Sequence, residues 1–298
     1  MKCQKCDSEA VLADPLTREP LCFRCFEQRL LSRVRRNLTT SGLTPFSRIL
    51  LAMSGGKDSS VMSMLTTKIE REFPKVELVG VTIDEGIEGY RGEGIEIAKK
   101  LAKNLGIEHR VYSMKKIIGY TVTEAVNINS SLGACTYCGV FRRRALDYAA
   151  LELDADFIAV GHNLSDIVQT LIMNILRGEK NKLLGVDLSW PLVPRIWPIR
   201  TLTESMVTLY AYLARLDFQE VECPYSHDSF RDPIRRFVLE MESKYPGALY
   251  SALSIKDQLN KMASIKYDEL KKCPSCGYPT SRDICRVCEI KRLLDKKS

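Results

Sequence analysis

The sequence predicts an α/β protein, a parallel sheet with helices on both faces in the Rossmann-like manner, closed at each terminus by a small four-cysteine knot. Three observations predict it. Short apolar runs alternate with amphipathic stretches through the middle of the chain. A doubled-glycine turn joins the first such run to the first such stretch. Paired Cys-x2-Cys knuckles stand at both ends.

The N-terminal knot is Cys3-x2-Cys6, fifteen residues, then Cys22-x2-Cys25. The x2 spacing lets two thiolates reach adjacent corners of a tetrahedral ion, so the four read as a closed structural zinc site. "RLLSRVRR" (Arg29 to Arg36) follows, with four arginines and no acid. "SRILLAM" (47–53) is an apolar run suited to a buried parallel strand, and "KDSSVMSMLTTKIEREF" reads as its helix. "VELVGVTIDEG" is a second strand, followed by a helix around "GIEIAKKLAKNLG" that stops at Gly106. "EHRVYSM" is a third strand, followed by one helix around "KKIIGYTVTEAVN". A Gly-flanked turn, "GACTYCG", leads into the helix "VFRRRALDYAALELDA". "DFIAVGHN" gives a fourth strand and "LSDIVQTLIMNILRG" an amphipathic helix. Pro191, Pro194 and Pro198 mark an irregular extended segment, and "TESMVTLYAYLARLD" opens a helical remainder to about Lys266. The tail is a second, tighter zinc knot: Cys273-x2-Cys276, eight residues, Cys285-x2-Cys288. The units are thus a finger (1–28), a basic linker helix (29–46), a catalytic domain (47–225), a helical extension (226–268) and a zinc ribbon (269–298).

Composition narrows the function. Eleven cysteines in a chain whose start lacks an apolar signal region argue against a disulfide framework. No window approaches a membrane span, and the chain reads as cytoplasmic with no membrane partner. The net charge of +7 is concentrated in arginine clusters: the linker, Arg142 to Arg144, and Arg231, Arg235 and Arg236. Guanidinium forks match phosphate oxygens, which suits a polyanion.

Three cysteines lie outside the knots: Cys135, Cys138 and Cys223, the last before a proline. Three thiolates suit a zinc with an open position, an iron–sulfur cluster with one iron lacking a protein ligand, or a nucleophile with a resolving partner. Their spacing alone leaves these open.

"LAMSGGKDSS" (Leu51 to Ser60) is not the ordinary P-loop, because Gly55 and Gly56 are adjacent. Adjacent glycines allow close backbone approach, so N–H groups converge on an anion at the helix N-terminus. Ser54, Ser59 and Ser60 offer hydroxyls, Lys57 a mobile cation, and Asp58 a helix cap or a magnesium ligand.

The turn resembles the PP-loop of the N-type ATP pyrophosphatases, which cleave ATP between the α and β phosphates. "VGHNLSDIVQT" (160–170) resembles a second motif of their tRNA-modifying branch, and "TIDEGI" the second-strand end that contacts adenosine. With "CTYCG", a later "CP" and knots at both ends, nearly the whole chain is similar to the TtcA/TtuA group of tRNA 2-thiouridine synthetases. The all-cysteine first finger looks more like the archaeal and eukaryotic wobble-uridine thiolases than the T-loop enzymes. The resemblance implies ATP and Mg2+ held by Ala52, Met53, Ser54, Gly55, Gly56, Lys57, Asp58, Ser59, Ser60, Thr82, Ile83, Asp84, Gly161 and His162. It implies a 4Fe-4S cluster with one open iron on Cys135, Cys138 and Cys223, or in a competing scheme a cysteine persulfide. Asp166 then orients substrate or moves a proton, and Arg142 stands near the reacting centre. The implied partners are tRNA, a sulfur donor (sulfide or a ubiquitin-like thiocarboxylate) and a second copy of the chain. The rival readings are T-loop thiolation, a PP-loop amidotransferase or lysidine-type ligase, and a zinc-ribbon RNA-binding adaptor. The two enzymes leave the cysteine trio without work, and the adaptor leaves the loop without it.

Overall fold

A computed structural model describes residues 1–73, 75–183, 192–226, 230–262, 271–280 and 282–296. The chain opens with a two-stranded ribbon, β1 (Leu12–Ala13) and β2 (Pro20–Leu21), then α1 (Phe23–Thr39). The sheet unit follows: β3 (Arg48–Ala52), α2 (Lys57–Glu70), β4 (Glu77–Asp84), α3 (Arg91–Asn104), β5 (Glu108–Ser113), α4 (Met114–Ile118), α5 (Val122–Ile128), α6 (Ala134–Glu152), β6 (Phe157–Ala159) and α7 (Leu164–Leu176). Short α8 (Lys180–Leu183), β7 (Arg195–Ile196), α9 (Glu204–Leu213), α10 (Arg231–Lys244) and α11 (Ala248–Met262) come next. The tail is β8 (Lys271–Lys272), β9 (Pro279–Thr280) and α12 (Arg286–Asp295).

The central sheet runs β5-β4-β3-β6-β7, all parallel. Alternation along β3 splits the core in two. Ile49 and Leu51 face a layer built from α1, α2, α3 and α9, while Leu50 faces a layer built from α4, α5, α6 and α12. Helices therefore cover both faces, as the alternating pattern predicts. The N-terminal knot belongs to the first layer and the C-terminal knot to the second. Helices α7, α10 and α11 enclose a third, smaller cluster around Leu164, Val238 and Leu253.

Three local expectations need correction. The stretch 115–127 is two helices rather than one, because Gly119 takes φ +99° and ends α4, while Thr121 and Glu124 form a capping box that restarts the chain as α5. Cys135 and Cys138 sit inside the first turns of α6, not in a loop before it. Arg195–Ile196, in the proline-rich segment expected to be irregular, is a fifth strand paired with β6. Pro191 and the last residues of the helical remainder, 263–266, lie outside the described residues.

The C-terminal knot docks on α6 through Arg144. Its guanidinium stacks 3.3 Å from the Tyr278 ring centre and donates to Cys285 Sγ (3.1 Å) and Cys276 Sγ (3.6 Å). Tyr278 in turn donates to Asp147 on the same helix, at 2.5 Å.

Candidate active site

In an open parallel sheet, ligands bind beyond the carboxyl ends of strands where the order reverses. Here β4 and β5 extend to one side of β3 and β6 and β7 to the other, so the crevice lies between β3 and β6. The glycine loop leaves β3 there, and Gly161, His162 and Asn163 leave β6 there.

The loop is tightly built. Gly55 takes φ +78°, and a Cβ there would lie 2.1 Å from Gly94 O. Its carbonyl accepts from Gln219 N at 2.9 Å. Ser54 N and Oγ meet Ser59 Oγ at 3.1 and 3.0 Å, and Gly56 N donates to Ser54 Oγ at 3.3 Å. Gly56, the residue before α2, has no side chain to cap the helix, so the N-terminal amides of α2 and their partial positive charge face the crevice. Gly161 presses on this turn: a Cβ there would meet Ser59 N and Cα at 3.0 Å.

Around the loop stands a charged cluster. Lys57 Nζ lies 2.8 Å from Glu204 Oε1 and 3.4 Å from Asp58 Oδ1. Asn163 Nδ2 donates to both acids, at 2.8 Å each, while its Oδ1 caps α7. Asp166 closes that capping box by accepting from Asn163 N, and lies 3.8 Å from Arg231. Burial pushes the Asp58 carboxyl up, opposed by Lys57 and reinforced by Glu204 and Asp166. Burial likewise raises Asp166. Glu204 goes the other way: burial opposes ionisation, but the Lys57 charge and hydrogen bonds from Lys57 and Asn163 outweigh it. His162 is exposed at the crevice, and the surrounding chain and the charges of Arg231 and Arg142 push its imidazole below its ordinary value, so its ring is neutral at pH 7.

At the end of β4, Thr82 and Ile83 turn their side chains inward. The Thr82 hydroxyl donates to Met53 O at 2.6 Å, and Ile83 packs in the core. Asp84 accepts from Gly86 N, which shapes the turn.

The three remaining cysteines are neighbours, though their sulfurs are not grouped within 4.8 Å of one another as those of the terminal cysteines are. Cys135 and Cys138 project from α6, Cys223 packs against the same core cluster as Cys138, and Cys135 Sγ reaches Tyr225 O at 3.8 Å. Burial pushes the Cys138 thiol up, Arg142 opposes this, and the neighbouring Cys223 and Cys135 add to it. Arg142 Nη2 donates to Cys138 Sγ at 3.0 Å. Two routes tie this trio to the glycine loop. Gln219, which holds Gly55, lies four residues before Cys223, and Arg142 ion-pairs with Glu85 beside the loop's own partner Arg91.

The terminal cysteines form two cages. Cys3, Cys6, Cys22 and Cys25 bring their sulfurs within 4.8 Å of one another, as do Cys273, Cys276, Cys285 and Cys288. Each fits one tetrahedral ion. Amide donors from Cys22, Lys5 and Cys6 hold the Cys3 thiol down to about 6. Burial opposes the same effect at Cys273, where amides of Cys285, Ser275 and Cys276 prevail and bring it to about 6.

The arginine-rich α1 is partly spent on structure. Arg29 pairs with Asp14 and Glu19, Arg33 donates to Tyr250 Oη at 2.8 Å, and Arg35 pairs with Glu72. Arg29 and Arg33, with Lys5, Arg24 and Arg36, line an open groove of about 750 Å³.

Sequence reasoning missed Glu204, Asn163, Arg91, Glu85 and Gln219. Only Asn163 carried a local signal, as a cap three residues before Asp166.

Sheet order, switch point and glycine loop together define a nucleotide-binding α/β domain. The chain belongs to the PP-loop domain family, which matches residues 27–242. More narrowly, it is similar over nearly its whole length to tRNA 2-thiolation proteins. The tRNA 2-thiolation protein NcsA of Haloferax volcanii is 32% identical, over 97% of this chain and 98% of that one. The cytoplasmic tRNA 2-thiolation protein 1 of Aspergillus niger is 32% identical, over 99% and 89%. Among solved structures, the U34-tRNA thiolase NcsA from Methanococcus maripaludis, determined with its 4Fe-4S cluster, superposes with a TM-score of 0.85 at 32% identity, over 99% of this chain and 96% of that one. No helix among the described residues is long and apolar enough to cross a membrane.

Proposed function

We propose that this chain is an ATP-dependent tRNA sulfurtransferase that exchanges the C2 oxygen of the wobble uridine for sulfur. The observation that carries the reading is the joining of the cysteine trio to the glycine loop, through Glu85 on one side and Gln219 on the other. The relatives' names supply the substrate.

In the first step the uridine O2 attacks the α-phosphorus of ATP, the α–β anhydride breaks, and pyrophosphate leaves. The amides of Gly55, Gly56 and the first turn of α2, with the Ser54 and Ser59 hydroxyls, receive the departing phosphates, while the Ser60 hydroxyl is buried behind them. Lys57 spreads the charge that develops there, which is electrostatic work. Asp58, Asp166 and Glu204 are hard oxygen donors near Lys57 and would hold a magnesium ion, which would offset phosphate charge. Ala52 and Asp84, with the backbone of Met53, Thr82 and Ile83, border the adenosine, and neutral His162 donates or accepts a hydrogen bond without carrying charge.

In the second step hydrosulfide adds to C2 and AMP leaves with the former O2, so no net electron transfer occurs. Three thiols, Cys135 exposed and Cys138 and Cys223 half-buried, suit a 4Fe-4S cluster with one iron lacking a protein ligand. Bound there, the cluster supplies a Lewis-acidic iron that keeps sulfide deprotonated at neutral pH. Arg142 supports the Cys138 thiolate. The two terminal cages hold structural zinc. The groove along α1 takes tRNA phosphates, which makes binding salt-sensitive. The sulfur donor is sulfide or a thiocarboxylated protein, and the chain works as a homodimer.

The test is anaerobic incubation with ATP, sulfide and unmodified tRNA, followed by nucleoside mass spectrometry. AMP and 2-thiouridine should form together at the wobble position. Thiouridine formed without ATP, or AMP formed without any thiouridine, would overturn the reading.

A further inference from the structure

Glu85 follows directly on β4 and is only 2% exposed, yet it is shared by two arginines. Arg91 Nε lies 2.6 Å from its Oε2, and Arg142 Nε lies 2.8 Å from its Oε1. Each arginine then reaches a different half of the site. Arg91, 7% exposed, donates from Nη1 to Ser54 O in the glycine loop at 2.7 Å and from Nε to Ile83 O at 3.0 Å. Arg142, 46% exposed, donates from Nη2 to Cys138 Sγ at 3.0 Å. A chain of hydrogen bonds and ion pairs therefore runs from Cys138 through Arg142, Glu85 and Arg91 to the backbone of Ser54, its Glu85–Arg91 link being an ion pair because the Arg91 Nε–H goes to Ile83 O. The Glu85 carbonyl, accepting from Val122 N at 2.9 Å, fixes the residue from behind.

Two guanidinium groups drawn to one buried carboxylate repel one another, so the carboxylate decides where both stand. A ligand that pulls Arg142 outward changes the share of Glu85 left to Arg91, and with it the loop. The reverse holds for a phosphate pulling on the loop. Such coupling is reciprocal in free energy.

We propose that Glu85 is a positioning residue that couples nucleotide binding at the glycine loop to the cysteine trio, with Arg91 and Arg142 as its two arms. The proposal deepens the function given above and rests on ATP binding at the loop.

The test is a double-mutant cycle read by ATP affinity, measured by titration calorimetry on the full chain without tRNA or sulfur donor, so that sulfur transfer plays no part. Arg142→Met is combined with Glu85→Gln, and the same cycle is run with Arg91→Lys, which keeps the charge but loses the second donor, in case Glu85→Gln fails to fold. Arg142→Met alone should shift the ATP dissociation constant by about fivefold or more, and the shift should vanish when Glu85 or Arg91 is already altered. A simply packing role for Glu85 would leave the two effects additive. Additive effects with normal ATP binding by the unaltered chain overturn the relay alone. An unaltered chain that binds no ATP overturns the parent reading and the relay with it.

Discussion

The ammonium of Lys57 and the carboxylate of Glu204 meet at 2.8 Å across 147 positions of sequence. The pair fixes the first residue of α2 against the first residue of α9, at the mouth of the crevice.

Replacing Lys57 by Met should lower AMP formation by about 10²–10³-fold, the usual cost of removing one preorganised charge from a transition state. It should also change acid stability. The Glu204 carboxyl is held below its ordinary value of 4.5, so its contribution is present above that value and lost as pH falls through the lowered one. Urea unfolding across pH should show the gap between wild type and variant widest above 4.5 and closing below it. A gap independent of pH would show that the ion pair is not its source.

Gly55 and Gly56 should respond differently to alanine. At Gly55 the new Cβ faces Gly94 O at 2.1 Å in a left-handed backbone, whereas at Gly56 the nearest atom is Ser54 Oγ at 3.5 Å. Gly55→Ala should destabilise by about 2 kcal/mol or more and displace α3, while Gly56→Ala should stay within about 1 kcal/mol. Thermal unfolding of the two variants checks the order.

His162 should titrate below its ordinary value of 6.5. Between the lowered value and the ordinary one the unfolded chain binds more protons than the folded one, so stability rises with pH through that window. His162→Gln should flatten the slope there. The ring resonances of only three histidines need assigning to follow the midpoint directly by NMR.

Cys223→Ala should abolish thiolation and iron binding while leaving ATP affinity within about twofold. Gln219, four residues earlier, still holds Gly55 from its backbone amide. Iron, zinc and nucleotide measurements on one anaerobic preparation separate these effects. Iron retained with full thiolation would remove Cys223 from the trio.

Much of the fold was legible because β3 and β4 are buried on both faces and so read as continuous apolar runs, and because Gly106 stops the helix after β4. Strand β7 was not, since two residues between prolines carry no period and owe their strand to pairing with β6. The cysteines of α6 read as a turn because flanking glycines outweigh helix propensity locally, while Tyr137 and Phe141 packing in the core decides otherwise. Loop residues and metal cages could be read from spacing. Glu204 and Gln219 could not, because only the folded sheet brings α9 and the segment beyond it to the loop.

Arg144 spends its guanidinium on sulfurs of the C-terminal cage while rooted two positions beyond Arg142 on α6. Stripping an ion from that cage would therefore loosen the very rod that carries Cys135 and Cys138. A chelator could silence sulfur delivery without ever approaching the crevice.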